Sequence, residues 1–340
     1  MIELDGSFGE GGGQLVRTAV ALAAIAGVPL RLVNVRAKRD QPGLAPQHLA
    51  AVRAVASLCT AECSGLELRS REFTFTPGAL RGGEFRFDVG TAGSVPLVLQ
   101  AVLPVLACAP AHSRVTVVGG TDVRAAPPLD YLRHVLLALL ARMGIAVQCA
   151  VHRRGYFPRG GGEVEIAVAP ARPRALALAG AGGAAAVEGL AHVANLPAHI
   201  AERMRAAALE RLGALPARIE AAVLAGDDAI GQGGAIVLWA HTDGAVLGSG
   251  RAAERGVRAE TLGVEAGAEL AADLAAGAAL DRHAADQLLI YLALAGGGHF
   301  TTRAISSHVR TAMWLIEQFV PVRFEVSEGD GLARVAVHGR

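Results

Sequence analysis

The chain has 340 residues, a net charge of +1, an apolar content of 52% and 42 glycines. That length carries a sizeable core, in two domains or in one large domain with an insertion, and the near-neutral charge excludes a global field that draws the whole protein to nucleic acid. No basic segment followed by an apolar one opens the chain, and each apolar stretch is too short or is broken by Gly or Pro, so the expectation is a cytoplasmic protein with no membrane partner. In chain order, residues 1–4 read as a short apolar strand. They lead through Gly9-Glu10-Gly11-Gly12-Gly13-Gln14 into an apolar helical run, 15–26. A glycine-rich turn feeding a helix start offers bare N–H groups and a positive dipole end to phosphate oxygens. Glu10 inside that turn would repel a naked phosphate, and fits a divalent cation held between carboxylate and phosphate. Glycines serving backbone geometry alone are the plain alternative.

One supersecondary pattern then occurs three times: a small-residue helix, a strand, a second helix and two further strands. The first copy has helix 14–26, strand 29–35, helix 47–59 and strands near 65–69 and 72–76. The second has helix 94–108, strand 114–118, helix 128–143 and strands 145–151 and 163–168. The third has helix 284–296, strand 299–303, helix 307–318 and strands 321–326 and 333–337. Helical spacing of Leu132, Leu136, Leu137 and Leu140, and alternation at Phe324, Val326, Val335 and Val337, carry these assignments. The first two copies start about 80 residues apart and the third lags by roughly 190. Residues 171–183, rich in Ala, Gly, Pro and Arg, read as a crossing linker. Beyond them, strand 184–193, helix 197–213, strands 217–224 and 235–241 and helix 258–276 make a small α/β module. The expected class is therefore α/β (α+β layers): three β-α-β-α-β-β-type units form a large domain from 1–183 and 277–340, with a smaller α/β domain inserted at 184–276.

The cations are 31 Arg and one Lys, Lys38, among 32 in all. A Walker-type loop needs Lys after its glycines, and Gln14 stands there. A lysine nucleophile for nucleotidyl transfer would have to be Lys38, in Arg36-Ala37-Lys38-Arg39, with no accompanying ligase motif. Cys59, Cys63, Cys108 and Cys149 form neither a disulfide framework nor a paired zinc signature, and read as free thiols. Among eleven histidines, His308 follows Ser306 and Ser307 at the start of the last helix, where the dipole favours an unprotonated imidazole. A cap-region residue without chemistry is the alternative there.

The segment Arg154-Gly155-Tyr156-Phe157-Pro158-Arg159-Gly160-Gly161-Gly162-Glu163-Val164 resembles the signature of the RNA 3′-terminal phosphate cyclases. Other stretches are similar to that family in the same order: Gly9 to Gln14 with Arg17; Arg36 to Arg39 with Pro42-Gly43-Leu44 and Gln47-His48-Leu49; and Thr91 to Ser94 with Gln100. Gly119 to Asp122, Asn195 to His199, Asp286-Gln287 and His308 complete the series. The resemblance spans nearly the whole chain. It is weakest in the insert, where Gly231-Gln232-Gly233 departs from an expected Gly-Pro-Gly. It implies three repeats like the C-terminal domain of the third bacterial translation initiation factor, a fold shared with the enolpyruvyl transferases.

The resemblance also implies a reaction: an ATP-dependent ligase converts an RNA 3′-phosphate to a 2′,3′-cyclic phosphodiester, releasing AMP and diphosphate through a histidine–AMP intermediate and an RNA-adenylate. On that basis His308 is the adenylated nucleophile, with Glu10 a ligand of Mg²⁺ or Mn²⁺ and Asp286 a second contact, either to that metal or to His308. Gln100, His283, Ala284, Ala285, Asp286 and Gln287 fall on the nucleotide pocket, and Arg17, Arg36, Arg39, Gln47 and His48 on the RNA terminal phosphate. Read without the family, Asp286 is equally a helix cap and Arg36–Arg39 a solvated loop. Gly160–Gly162 read as allowing close packing between repeats, and Asp122 as a turn residue. The rival readings are a non-catalytic cyclase-like RNA-binding or ribosome-assembly scaffold, against which His308 and Glu10 both stand, and an enolpyruvyl-transferase-like enzyme, against which three repeats and one lysine stand. A homodimer stays open.

Overall fold

The computed structural model describes residues 1–183, 186–329 and 331–339. Ala184 and Ala185, at the predicted start of strand 184–193 and of the insert, lie outside them. The first unit is β1 (Ile2–Asp5), α1 (Gly13–Ala26), β2 (Leu30–Val33), α2 (Pro46–Leu58), β3 (Glu62–Ser64) and β4 (Phe73–Thr76), with sheet order β1-β2-β4-β3. The helical crossover makes β1 and β2 parallel, while β4 runs antiparallel to β2 and β3. Helix α1 stops where Gly27 turns left-handed at φ 65° and returns its N–H to Ala23 and Ala24.

The second unit is β5 (Gly83–Asp88), α3 (Val95–Ala107), β6 (Ser113–Gly119), α4 (Leu129–Tyr131), a π turn at Leu132–Leu136 running into α5 (Leu137–Arg142), β7 (Val147–Gly155) and β8 (Gly162–Val168). Its strands take the same order, β5-β6-β8-β7. The third unit opens with β9 (Leu176–Leu178), inside the stretch predicted as a linker. There the chain leaves for β10 (Val187–Ala194), α6 (Ala198–Leu212), β11 (Ala217–Leu224), β12 (Ala229–Ile230), β13 (Gly233–His241), β14 (Val246–Ala252) and α7 (Ala259–Ala275). It returns with α8 (Arg282–Gln287), α9 (Leu289–Leu294), β15 (Gly297–Thr302), α10 (Ser307–Glu317), β16 (Val322–Gly329) and β17 (Leu332–Gly339). The third sheet, β9-β15-β17-β16, repeats the order again.

Two connections position the site. Helix α1 is buried nearly all round, from Leu15 to Ala24, and packs on α2, on α3 of the second unit and on α10 of the third. The intervening segment builds its own sheet, β11-β10-β13-β14, covered by α6 and α7, and lends β12 to the edge of the second unit beside β7. Gly160–Gly162, expected to ease packing between repeats, instead serve the second unit and this segment. A side chain on Gly160 would strike the Thr91 carbonyl, and one on Gly161 would strike Ile230. Among the described residues no helix is long and apolar enough to cross a membrane.

Candidate active site

Strand β1 delivers the chain to the glycine turn, where Gly9 and Gly11 take φ of 56° and 60°. The turn is fastened to the third unit rather than left as a free loop. Glu10 N–H donates to Thr311 Oγ1 at 3.1 Å, Thr311 donates to Ser307 O at 2.7 Å, and Phe8 stacks on Trp314 with centroids 3.8 Å apart. Gly12 is the N-cap of α1 and supplies no side-chain cap, so the first amides of the helix stay open to a ligand. A Cβ on Gly13 would overlap the His48 ring and crowd Arg17, so this glycine lets both side chains reach the helix start.

His308 is the second residue of α10, whose cap Ser306 accepts from Val309 N–H at 3.1 Å. Its Nδ1 lies 2.8 Å from Gln14 Oε1 and 3.9 Å from Glu10 Oε2. Burial, together with Arg17, Arg39 and Arg282, pushes its pKa below the ordinary histidine value, so the ring is neutral at pH 7. The far end of Gln14, Nε2, donates to Asp286 Oδ2 at 2.9 Å. Burial pushes the Asp286 carboxyl up to about 7, Arg17 opposing and Asp281 adding to the rise. Its other oxygen, Oδ1, is buried without a partner, as is Gln287 Oε1. The helix-cap role open to Asp286 belongs instead to Asp281. Asp281 Oδ1 accepts from His283 N–H at 2.8 Å, Ala284 N–H at 3.0 Å and the Tyr131 hydroxyl at 2.7 Å, and Oδ2 accepts from Gly248 N–H at 3.0 Å.

Opposite stand the cations. Arg17 is buried, and that burial lowers it to about 10, still charged at pH 7, with Asp286 opposing the shift. Arg36 is anchored through Nη1 to the carbonyls of Gln41 and Gly43 at 2.9 and 2.8 Å, across a loop whose residues 37–41 remain exposed to solvent. Arg39 pairs with the Glu10 carboxylate. His48 Nδ1 accepts from Ala45 N–H at 3.1 Å, which leaves Nε2 to carry the proton of the neutral ring. Burial and then the three arginines drive its pKa down to about 3. It is therefore a neutral donor. Gln47 Oε1 accepts from Ser94 N–H at 3.3 Å and ties the second unit to this wall.

These groups line one cavity of about 420 Å³, joined by Gln100, His283 and Gln287. Part of its wall is apolar, with Leu97, Leu136, Ile290 and Ile316. Ala284 and Ala285 do not line it. Their side chains are fully buried and their N–H groups already donate to Asp281. Sequence alone gives Gln14 no role beyond closing the glycine motif and does not mark Thr311 or Asp281, because a glutamine, a threonine and an aspartate carry no chemical signature without their partners. Ala125 and Pro127 line the cavity, and the residues flanking them in sequence, Asp122 and Asp130, both pair with the buried Arg154, at 3.2 and 2.7 Å. Burial disfavours the Asp122 charge, and Arg154 and His192 outweigh it, holding this carboxyl well below the usual range. Asp122 is thus one half of a buried ion pair.

Among the described residues no three His, Cys, Asp or Glu side chains converge as a metal cage. An octahedral Mg²⁺ held by one or two carboxylates and substrate phosphates needs none, and the orphaned Asp286 Oδ1 beside the Glu10 turn fits that donor set.

Comparison with known proteins gives a family model described as RNA 3′-terminal phosphate cyclase, matching residues 8–326. A protein of that name from Nitrosospira multiformis is 54% identical over 338 residues, covering 98% of this chain and 96% of its own. One from Pyrobaculum neutrophilum is 44% identical over 341 residues, covering 99% and 98%. Among solved structures, the enolpyruvyl transferase NikO from Streptomyces tendae aligns over the whole chain and 48% of its own at 12% identity and a TM-score of 0.41, below the level at which a shared fold follows.

Proposed function

The chain belongs to the RNA 3′-terminal phosphate cyclase family, and on that premise we propose that it converts an RNA 3′-terminal phosphate to a 2′,3′-cyclic phosphodiester at the expense of ATP. The observation carrying this reading is the juxtaposition of a neutral, half-exposed His308 with the glycine turn, an acidic pair and three arginines in one cavity. A 3′-phosphate does not cyclise unaided, because its adjacent 2′-hydroxyl would have to expel oxide. Transfer of AMP supplies a leaving group.

In the proposed sequence His308 Nε2 attacks the α-phosphorus of ATP, the bond to diphosphate breaks, and a phosphoramidate forms. An oxygen of the RNA 3′-phosphate then attacks that phosphorus and frees the imidazole, giving the RNA-adenylate. The 2′-oxygen finally attacks the 3′-phosphorus, loses its proton and releases AMP. This last step is intramolecular, so correct orientation alone is worth up to ~7–11 kcal/mol. The open amides of α1 and the neutral His48 Nε2–H suit phosphate oxygens, and Arg17, Arg36 and Arg39 suit a terminal monoester with its extra charge. Mg²⁺ or Mn²⁺, with Glu10 and Asp286 as protein ligands, would neutralise charge on the triphosphate as diphosphate departs.

The test is an RNA ending in 3′-phosphate, incubated with the protein, ATP and Mg²⁺. The expected outcome is a phosphatase-resistant end with stoichiometric AMP and diphosphate. His308→Ala is expected to lose at least about a thousandfold in rate, and Glu10→Ala at least about tenfold. RNA bound tightly with no ATP consumed would instead support a scaffold.

A further inference from the structure

We propose that Gln14 is a positioning residue that sets the tautomer of His308, holding the imidazole as its Nδ1–H form so that the lone pair sits on Nε2. The proposal deepens the nucleotide-carrier reading of His308 and rests on it.

Three observations lead there. His308 Nδ1 is 2.8 Å from the amide oxygen of Gln14, which has lone pairs and no proton, so the hydrogen between them belongs to the ring. A neutral imidazole has one N–H, and its position is dictated by the partner of one nitrogen. With Nδ1 protonated, Nε2 is left as the base and nucleophile. The second observation fixes which end of the amide faces the ring. Gln14 Nε2 donates to Asp286 Oδ2 at 2.9 Å, so the amide nitrogen is engaged by that carboxyl group and the amide oxygen is the end turned to the ring. The third is placement. Gln14 is the second residue of α1, whose buried face is fixed among α2, α3 and α10, so the amide stands on a rigid element rather than a loop.

The arrangement differs from a carboxylate bonded directly to histidine in one chemical respect. A carboxylate facing Nδ1 raises the affinity of the ring for a second proton, whereas a neutral amide oxygen orients the ring without that effect. For a group that must attack phosphorus while unprotonated, the amide is the better neighbour. The carboxylate of Asp286 acts one residue removed, by orienting the amide. The step concerned is bond formation from Nε2 to the α-phosphorus of ATP with loss of diphosphate. Nδ1–H stays in place throughout, donating to Gln14 in both the free ring and the adduct.

The experiment is a long-range proton–nitrogen spectrum of ¹⁵N-histidine-labelled, nucleotide-free protein, with the His308 signals identified by their loss in His308→Gln. The wild-type ring is expected to show a protonated Nδ1 and an unprotonated Nε2. Gln14→Met, nearly isosteric and helix-compatible, is expected to move both nitrogens toward averaged shifts and to slow adenylylation about tenfold, with KM for ATP within about twofold. An unprotonated Nδ1 in the wild type overturns the proposal whatever the variant does, so it does not depend on the variant folding. An unchanged tautomer in Gln14→Met overturns it too. If the tautomer is as stated but the AMP adduct forms elsewhere, the nucleotide-carrier reading fails, and with it the catalytic part of Gln14's role.

Discussion

His48 shows how much a single residue here depends on burial. It is 3% exposed, accepts a backbone hydrogen bond and faces three guanidiniums, so its folded pKa is about 3 against 6.5 in an unfolded chain. Between those values the unfolded state binds a proton that the folded state refuses. The stability this residue contributes is complete above pH 6.5 and is lost as pH falls toward 3. Asp286, displaced upward, pulls the other way across part of the same window, so the comparison belongs between variants. His48→Asn keeps an acceptor for the Ala45 amide and removes the proton site. Urea unfolding is expected to show a smaller loss of stability from pH 7.5 to pH 5 in this variant than in the wild type; equal losses would exclude His48 as a contributor. Gly13→Ala, which drives a methyl into the His48 ring, is expected to weaken RNA binding while adenylylation by ATP alone persists, read by comparing KM for RNA with the single-turnover rate of adduct formation.

At the level of elements, the sequence was legible where apolar periodicity was strong. The alternating apolar residues of β16 and β17, and the leucines of the helix through Leu132 and Leu140, lie where expected. It was illegible where an element exists only by pairing. Strand β9 has three residues amid Arg, Pro and Ala and is held by register with β15, from Gly298 against Leu176 to Phe300 against Leu178. Predicted strand 65–69 is instead a turn beyond β3, with Gly65 left-handed at φ 67°. Predicted helix 284–296 begins earlier, at Arg282, and breaks at Leu288. Eleven of the thirteen candidate site residues, assigned through the family resemblance, line the cavity. Their connections through Gln14, Thr311 and Asp281 became visible only in three dimensions. The signature Arg154 is the clearest case of a residue whose purpose lies outside the cavity lining. Arg154→Met leaves Asp122 and Asp130 buried without it, and is expected to destabilise the fold by about 3–5 kcal/mol. Arg154→Lys, which lacks the planar fork, is expected to recover only part of that; chemical denaturation of both variants checks it.

Across the molecule, three units of one topology place their first helices and the final helix around a single cavity, and a fourth sheet is threaded between β9 and α8 of the third unit. That segment is wired to the rest through buried polar groups. Gly248 and Tyr131 meet on Asp281, His192 lies 3.0 Å from the Tyr156 hydroxyl, and β12 pairs with β7. Shared buried contacts of this kind couple unfolding, so calorimetry is expected to show one cooperative transition. Two well-separated transitions would mean that the insert and the repeats are energetically independent. The chemistry proposed for the cavity needs one covalent event on the protein itself, and that event leaves a mark. Protein incubated with α-labelled ATP and Mg²⁺ should carry an acid-labile, alkali-stable AMP that peptide mass spectrometry maps to His308 and that His308→Ala abolishes. An undiminished adduct in His308→Ala, or AMP on any other residue, would contradict the mechanism.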